Sequence, residues 1–312
     1  MRRRSIAAGA SVVLLALVFA PEAGAQVQTH PAERFALDRF YPAEPGSTWL
    51  VGDSLHYEGH KRIALALVLD FARKPLVLYG PAGSETSLVG AQLYAHLGCS
   101  VLLFDRFRLA LSIPLILYQD GSTFYVDDIE YVGPHGLGVG DVRVAADGLI
   151  WKRADGTVRL AGGLRFFIPS AGRDSYASDG AVRLEPHLAV AGDAGPFTYA
   201  GRLGVQYRAR SPVFAGAALG SEFLLDASAG YQTPGRRLLL GAELYGSTVF
   251  TEGVSYLGKA TSPLELLLMA RLRMPGGWAA SVGFAPGLTR ALGSPRFRTL
   301  ASVEWSYPSA TQ

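Results

Sequence analysis

Three stretches of the chain alternate apolar and polar residues with a period of two. In FTYAGRLGVQYR (197–208), Phe197, Tyr199, Leu203, Val205 and Tyr207 share one face, and Thr198, Arg202, Gln206 and Arg208 the other. In AVRLEPHLAV (181–190), Val182, Leu184, Leu188 and Val190 alternate with Arg183, Glu185 and His187. In FRTLASVEWSY (297–307), Phe297, Val303, Trp305 and Tyr307 alternate with Arg298, Ser302, Glu304 and Ser306. Successive side chains of a strand point to opposite faces, so the pattern predicts strands and not helices. Carried along the chain, it predicts twelve, near 61–71, 86–96, 104–117, 141–151, 158–168, 181–192, 197–208, 221–231, 236–250, 263–273, 277–289 and 297–307. Each is close to the about 9–11 residues that a tilted membrane-crossing strand needs, and an even number suits a bacterial single-chain barrel.

The connections sort by length. Short ones fall at 151–157, 193–196, 232–235 and 274–276; long ones fall at 118–140, 169–180, 209–220, 251–262 and 290–296. Outer-membrane barrels have short periplasmic turns and long external loops. With the N-terminus in the periplasm, Phe197, Tyr231, Trp278, Trp305 and Tyr307 fall at the periplasmic rim, and Tyr118, Tyr207, Phe223, Phe250 and Phe297 at the outer rim. Two aromatic girdles are expected where amphipathic rings meet lipid headgroups. The expected fold is all-β: a closed antiparallel transmembrane β-barrel of about twelve strands.

Composition changes the picture at the N-terminus. Arg2, Arg3 and Arg4 precede an apolar run from Ile6 to Ala20, then Ala23-Gly24-Ala25 offers a small-x-small cleavage site. That run is shorter than the ~20 residues of a spanning helix, so 1–25 is expected to be a signal peptide cut between Ala25 and Gln26. No later apolar run is long; IALALVL (63–69) ends at Asp70. Yet mean hydropathy is +0.20, as expected when apolar residues are spread over many short strands. Cys99 is the one cysteine, so no disulfide framework is expected. Residues 26–60 read as a periplasmic lead-in, with a partial plug or cap of the barrel as the alternative, 61–307 as the barrel, and 308–312 as a tail.

The polar parity should face the lumen. It comprises Arg165, then Arg183, Glu185 and His187, Arg202 and Gln206, Glu222 and Asp226, Glu243, Glu265 and Arg271, and finally Arg298 and Glu304. Both signs occur, so cross-strand acid–base pairs are expected. These residues either brace a filled lumen or line a pore and set its ion preference.

Other chemistry is weakly signalled. None of His30, His56, His60, His96, His135 and His187 is followed two residues later by Ser, the arrangement of barrel lipid hydrolases; His135 has Asp127, Asp128 and Glu130 nearby in the longest loop. YGPAGSETS (79–87) lacks the Gly-Lys-Ser/Thr ending of a phosphate loop. GPHGLGVGD (133–141) alternates glycines as a dinucleotide loop does, but DVRVAADGLIW after it alternates like a strand, so it is expected to lead from the loop into the fourth strand. No catalytic, cofactor or metal residues are expected. The formal charge of +3 owes much to the three leading arginines, so no nucleic-acid partner is expected.

The segments ARKPLVLY (72–79), QLYAHLG (92–98), FRLALSIPLILYQDG (107–121), GLGVGDVRV (136–144), GLRFFIPSAGRDSYASDGAVRLEP (163–186), ELYGSTVF (243–250), SPLELLL (262–268) and GFAPGLTRALGSPRFRTLASVEW (283–305) span most of the chain. They resemble the N-terminal barrel of OmpA-family outer membrane proteins of the myxobacterial type. The resemblance implies an outer-membrane location, contact with outer-membrane lipid and lipopolysaccharide, and insertion by the barrel-assembly machinery. Many such proteins continue into an Asp-rich linker and a peptidoglycan-binding domain. Here the chain stops at Gln312, so peptidoglycan contact is not carried over. The expected function is a porin-like narrow passive channel for small solutes or ions. The alternative is a structural envelope barrel with a filled lumen, and an outer-membrane enzyme is the remote one.

Overall fold

A computed structural model of the chain describes residues 30–79, 84–172, 175–251 and 253–307. The signal segment 1–25, its Ala25–Gln26 cleavage site and the tail 308–312 lie outside the described residues.

Twelve long strands build the wall. They are β1 (Arg62–Tyr79), β2 (Glu85–Leu103), β3 (Phe107–Gly121), β4 (Val142–Lys152), β5 (Val158–Ile168), β6 (Arg183–Ala194), β7 (Phe197–Arg208), β8 (Glu222–Gln232), β9 (Leu238–Val249), β10 (Leu264–Arg273), β11 (Trp278–Pro286) and β12 (Phe297–Ser306). Each pairs antiparallel with its chain neighbours, and β12 closes on β1 from Phe297↔Arg73 to Ser306↔Ala64. Closure leaves no open sheet edge. Among the described residues, no helix is long and apolar enough to cross a membrane.

The predicted boundaries slip most at β1 and β2, which run 18 and 19 residues. β2 continues past position 96 through Gly98, Cys99 and Ser100, where the apolar alternation lapses. The glycine loop behaves as a descent onto the wall. Gly138–Val139 pairs with Leu115 and Ile116 of β3, the Gly140 N–H donates to the Pro114 carbonyl at 2.8 Å, and β4 begins one residue after Asp141.

The two faces of the wall differ sharply. The outer face exposes Leu65, Leu67, Leu69, Leu188, Leu203, Leu225, Leu268, Val282 and Val303. Phe197, Tyr231, Trp278, Trp305 and Tyr307 stand at the short-turn end, with Phe197 on Tyr231 at 5.8 Å and Trp305 on Tyr307 at 6.3 Å between ring centroids. Tyr207, Phe223, Phe250 and Phe297 stand at the opposite end, with Phe223 on Phe250 at 4.3 Å.

For residues 26–60 the sequence leaves open a periplasmic lead-in or a partial plug of the barrel. The structure runs residues 35–57 through the lumen. His30–Pro31 pairs with Ile129–Glu130 of the longest loop, so this part of the chain stands at the long-connection end, opposite the end where β1 begins. The segment then descends, and Glu58 meets Lys152 at 2.7 Å at the short-turn end. The length of alternating strand revealed the wall. Nothing periodic marks a segment that is held by a wall on all sides.

Candidate functional site

The interior of the barrel and the segment that fills it form one site. At the long-connection end, Phe35 and Leu37 pack into an apolar cluster with Leu76, Leu88, Val89, Tyr131, Tyr176, Phe214, Leu219 and Leu292. Five of these, Tyr131, Tyr176, Phe214, Leu219 and Leu292, come from the long connections, so the loops themselves cover the mouth. The Ala36 N–H donates to Asp179 at 2.8 Å. Burial pushes the Asp179 carboxyl up, but the guanidiniums of Arg208 and Arg183 outweigh it and hold the group below its ordinary value.

Below this lid, ion pairs tie the segment to the wall. Arg39 meets Glu222 at 2.8 Å, and Arg208 meets the same carboxylate at 2.9 Å. Arg298 joins Asp38 of the segment at 3.1 Å to Asp70 of β1 and to Glu265 of β10 at 3.0 Å. Glu44 sits between Arg143 at 3.2 Å and Arg165 at 3.1 Å, and Arg165 also reaches Glu185 at 3.1 Å. Nearer the short-turn end, Arg108 bridges Asp53 of the segment to Asp147 of β4, and His187 Nε2 lies 3.0 Å from Asp147. Buried charge is tolerated only when paired, and here the segment supplies partners that the wall lacks.

The middle of the segment is seated by shape. Trp49, Leu50, Val51, Leu55 and Tyr57 share an apolar cluster with inward residues such as Val68, Leu102, Ala189, Leu239, Leu267 and Leu300. Trp49 lies over Gly230 and Gly241, which face each other across β8 and β9. A Cβ on Gly241 would stand 2.6 Å from the indole, so the recess exists only because both positions lack side chains. Beside it, the Glu243 carboxylate accepts the N–H groups of Leu50 at 2.8 Å, Val51 at 2.9 Å and Gly52 at 2.8 Å. Successive backbone N–H groups converging on one carboxylate make an anion nest.

The sequence-derived lumen residues all occupy the interior face. Arg165, Arg183, Glu185, Gln206, Glu222, Asp226, Glu243, Glu265, Arg271, Arg298, Arg202 and Glu304 are buried there, and His187 shares that face through Asp147. Arg202 pairs with Asp226 at 2.6 Å and Arg271 with Glu304 at 2.8 Å, both within the wall. Arg183 meets Asp141 at 3.0 Å and the Tyr41 hydroxyl at 2.6 Å. Arg108, Arg143, Asp147, Asp70 and His96 are interior too, beyond the predicted lining, although Arg108 alternates with Phe107 and Leu109 as its parity requires. Asp38, Glu44 and Asp53 carry no sequence signal, because no strand pattern surrounds them. The inward face is not uniformly polar either. Ala189, Leu239, Leu267 and Leu300 point inward because the segment, not water, lies against them.

Around the segment, interior cavities of about 40 and 30 Å3 are left. The larger is lined by Asp38, Tyr94 and His96 among others, the smaller by Arg39, Arg202 and Glu222 among others. In the longest loop, Glu130 accepts the Tyr125 hydroxyl at 2.8 Å, and the His135 carbonyl accepts from Gln119.

No family model matches the chain, and no curated protein matches it in sequence. Solved structures do. An outer membrane channel from Pseudomonas putida F1 aligns with a TM-score of 0.61 at 12% identity, over 85% of this chain and all of that one. The KdgM porin aligns at 0.48 and 10% identity, over 78% of this chain and 99% of that one. The translocator domain of the autotransporter NalP from Neisseria meningitidis also aligns at 0.48 and 10%, over 82% and 91% of the two chains. The likeness to the Pseudomonas channel establishes the fold: a closed twelve-stranded barrel of the outer-membrane type.

Proposed function

We propose that this protein is an outer-membrane channel closed at rest by its own N-terminal segment. The observation that carries this reading is the set of contacts between segment and wall. Asp38, Arg39, Glu44 and Asp53 are held by ion pairs to four different regions of the wall. Cys99 is the one cysteine, so no disulfide ties the segment to the wall. If it withdraws, it leaves an interior ringed by arginines and carboxylates, the lining of a pore for small hydrophilic solutes or ions. The apolar outer face and the two aromatic girdles support a place in the outer membrane, in contact with lipid and lipopolysaccharide after insertion by the assembly machinery. The shared fold with an outer membrane channel supports a transport role. The quoted segment resemblances support kinship with OmpA-family barrels.

A second reading, a permanently filled structural barrel, is favoured by the fit of Trp49 into its glycine recess. Planar-bilayer recordings of the intact chain and of a chain lacking residues 30–57 separate the two. A gated channel shows infrequent steps when intact and large, frequent ones when shortened. A structural barrel is silent when intact, whatever the shortened chain does.

A further inference from the structure

We propose that Asp38, Asp70 and His96 form a divalent-cation site that clips the lumenal segment to the barrel wall. The three come from different elements: Asp38 from the segment, Asp70 from β1 and His96 from β2. One donor atom from each lies within 4.8 Å of the others.

Charge is the first argument. Three carboxylates, those of Asp38, Asp70 and Glu265, surround the single guanidinium of Arg298. Ionised, they leave two negative charges in excess in a buried place, which is costly without a compensating cation. A dication matches that excess.

The free donor atoms are the second argument. Arg298 holds Asp38 through Oδ1 and Asp70 through Oδ2. Asp70 Oδ1 and His96 Nε2 are buried with no hydrogen-bond partner, an expensive condition for polar atoms. The residues themselves are 0% and 5% exposed. The Tyr94 hydroxyl is also buried without a partner, and its ring stacks on His96 at 5.7 Å. The cavity of about 40 Å3 is lined by Asp38, Tyr94 and His96, and a water needs only about 10–15 Å3 measured this way. A water therefore fits on the Asp38 and His96 side of the site.

The donor set selects the ion. One imidazole and two carboxylates suit borderline transition metals such as Zn2+ or Co2+ better than Ca2+, which takes oxygen donors. Because Asp38 sits on the segment and the other two on the wall, the ion stabilises the closed arrangement by linkage. The site needs only that arrangement, so its test stands whether or not the barrel conducts.

The test uses the intact protein after chelator treatment, titrated with Co2+ and followed by calorimetry and visible absorption. One Co2+ per chain with ligand-field bands is expected. Asp38→Asn and His96→Gln should each weaken binding at least about tenfold, and His135→Gln, in the longest loop, should leave it unchanged. Asp38 lies off the wall, so Asp38→Asn leaves the strands intact. No binding, or equal affinity in both site variants, overturns the proposal. So does equal affinity in the chain lacking residues 30–57.

Discussion

The carboxylate of Glu243, on β9, accepts the backbone N–H of Gly52, in the lumenal segment, at 2.8 Å. The same carboxylate takes the N–H groups of Leu50 and Val51, so one wall residue fixes the turn of the segment at mid-lumen. Hydrogen bonds to a charged group contribute about 1.5–3 kcal/mol each. Glu243→Gln, which keeps the shape and removes the charge, should therefore loosen the segment without unfolding the wall. Hydrogen exchange at the amides of Leu50, Val51 and Gly52 should quicken by at least about tenfold, equal to ~1.4 kcal/mol of lost protection. Unchanged exchange would mean that the apolar seat alone holds the turn.

Gly52 also carries a steric requirement. A Cβ there would stand 2.3 Å from Ser228 Oγ, which itself reaches Glu243 at 3.2 Å. Gly52→Ala should destabilise the closed state, and Ser228→Ala should restore part of the loss. A double-mutant cycle read by thermal unfolding should give a coupling of about 0.5–3 kcal/mol. Additive effects would rule out the contact.

The indole of Trp49 fills a recess made by Gly230 and Gly241. Trp49→Ala should cost about 3–5 kcal/mol of segment seating. Gly241→Val should unseat the same ring from the wall side. Both should raise opening frequency in bilayer recordings. A change in only one of them would place the seat elsewhere.

Acid should loosen the lid late. Asp179 holds the Ala36 N–H, and its carboxyl lies below the ordinary value because Arg208 and Arg183 outweigh burial. Its contribution is complete above the ordinary pKa of about 3.9 and is lost as pH falls through the lower folded value. Protection of the Ala36 amide, read by hydrogen exchange, should be flat from pH 7 to about 4 and fall below that. Asp179→Asn should lower protection across the whole range. Loss of protection already near pH 6 would assign the latch to another group.

Much of this architecture is legible in the sequence because a wall with an apolar outer face and polar contacts inside must alternate. Phe197 to Arg208 is predicted as a strand and is one, residue for residue. Arg202, Glu243 and Arg298 are assignable to the interior by parity alone. The filling of the lumen is not legible. Residues 35–57 have no period, since each side chain meets whichever part of the wall is nearest. Their effect on the wall is visible only as lapses: the weak pattern at Gly98, whose Cβ would stand 2.9 Å from Pro45, and the inward Leu267 and Leu300. A lapse in alternation reads as a strand end until the segment that causes it is seen.

The central claim, that the lumenal segment is a movable gate, is tested most directly by locking it. A Cβ on Gly98 would stand 2.9 Å from Cγ of Pro45, so cysteines placed at the two positions are close neighbours for an oxidative cross-link, with Cys99→Ser removing the native thiol. Single-channel recordings of Pro45→Cys/Gly98→Cys/Cys99→Ser should show openings under reductant, none after oxidation, and openings again on re-reduction. The same conductance in both redox states, or silence in both, would contradict the gate.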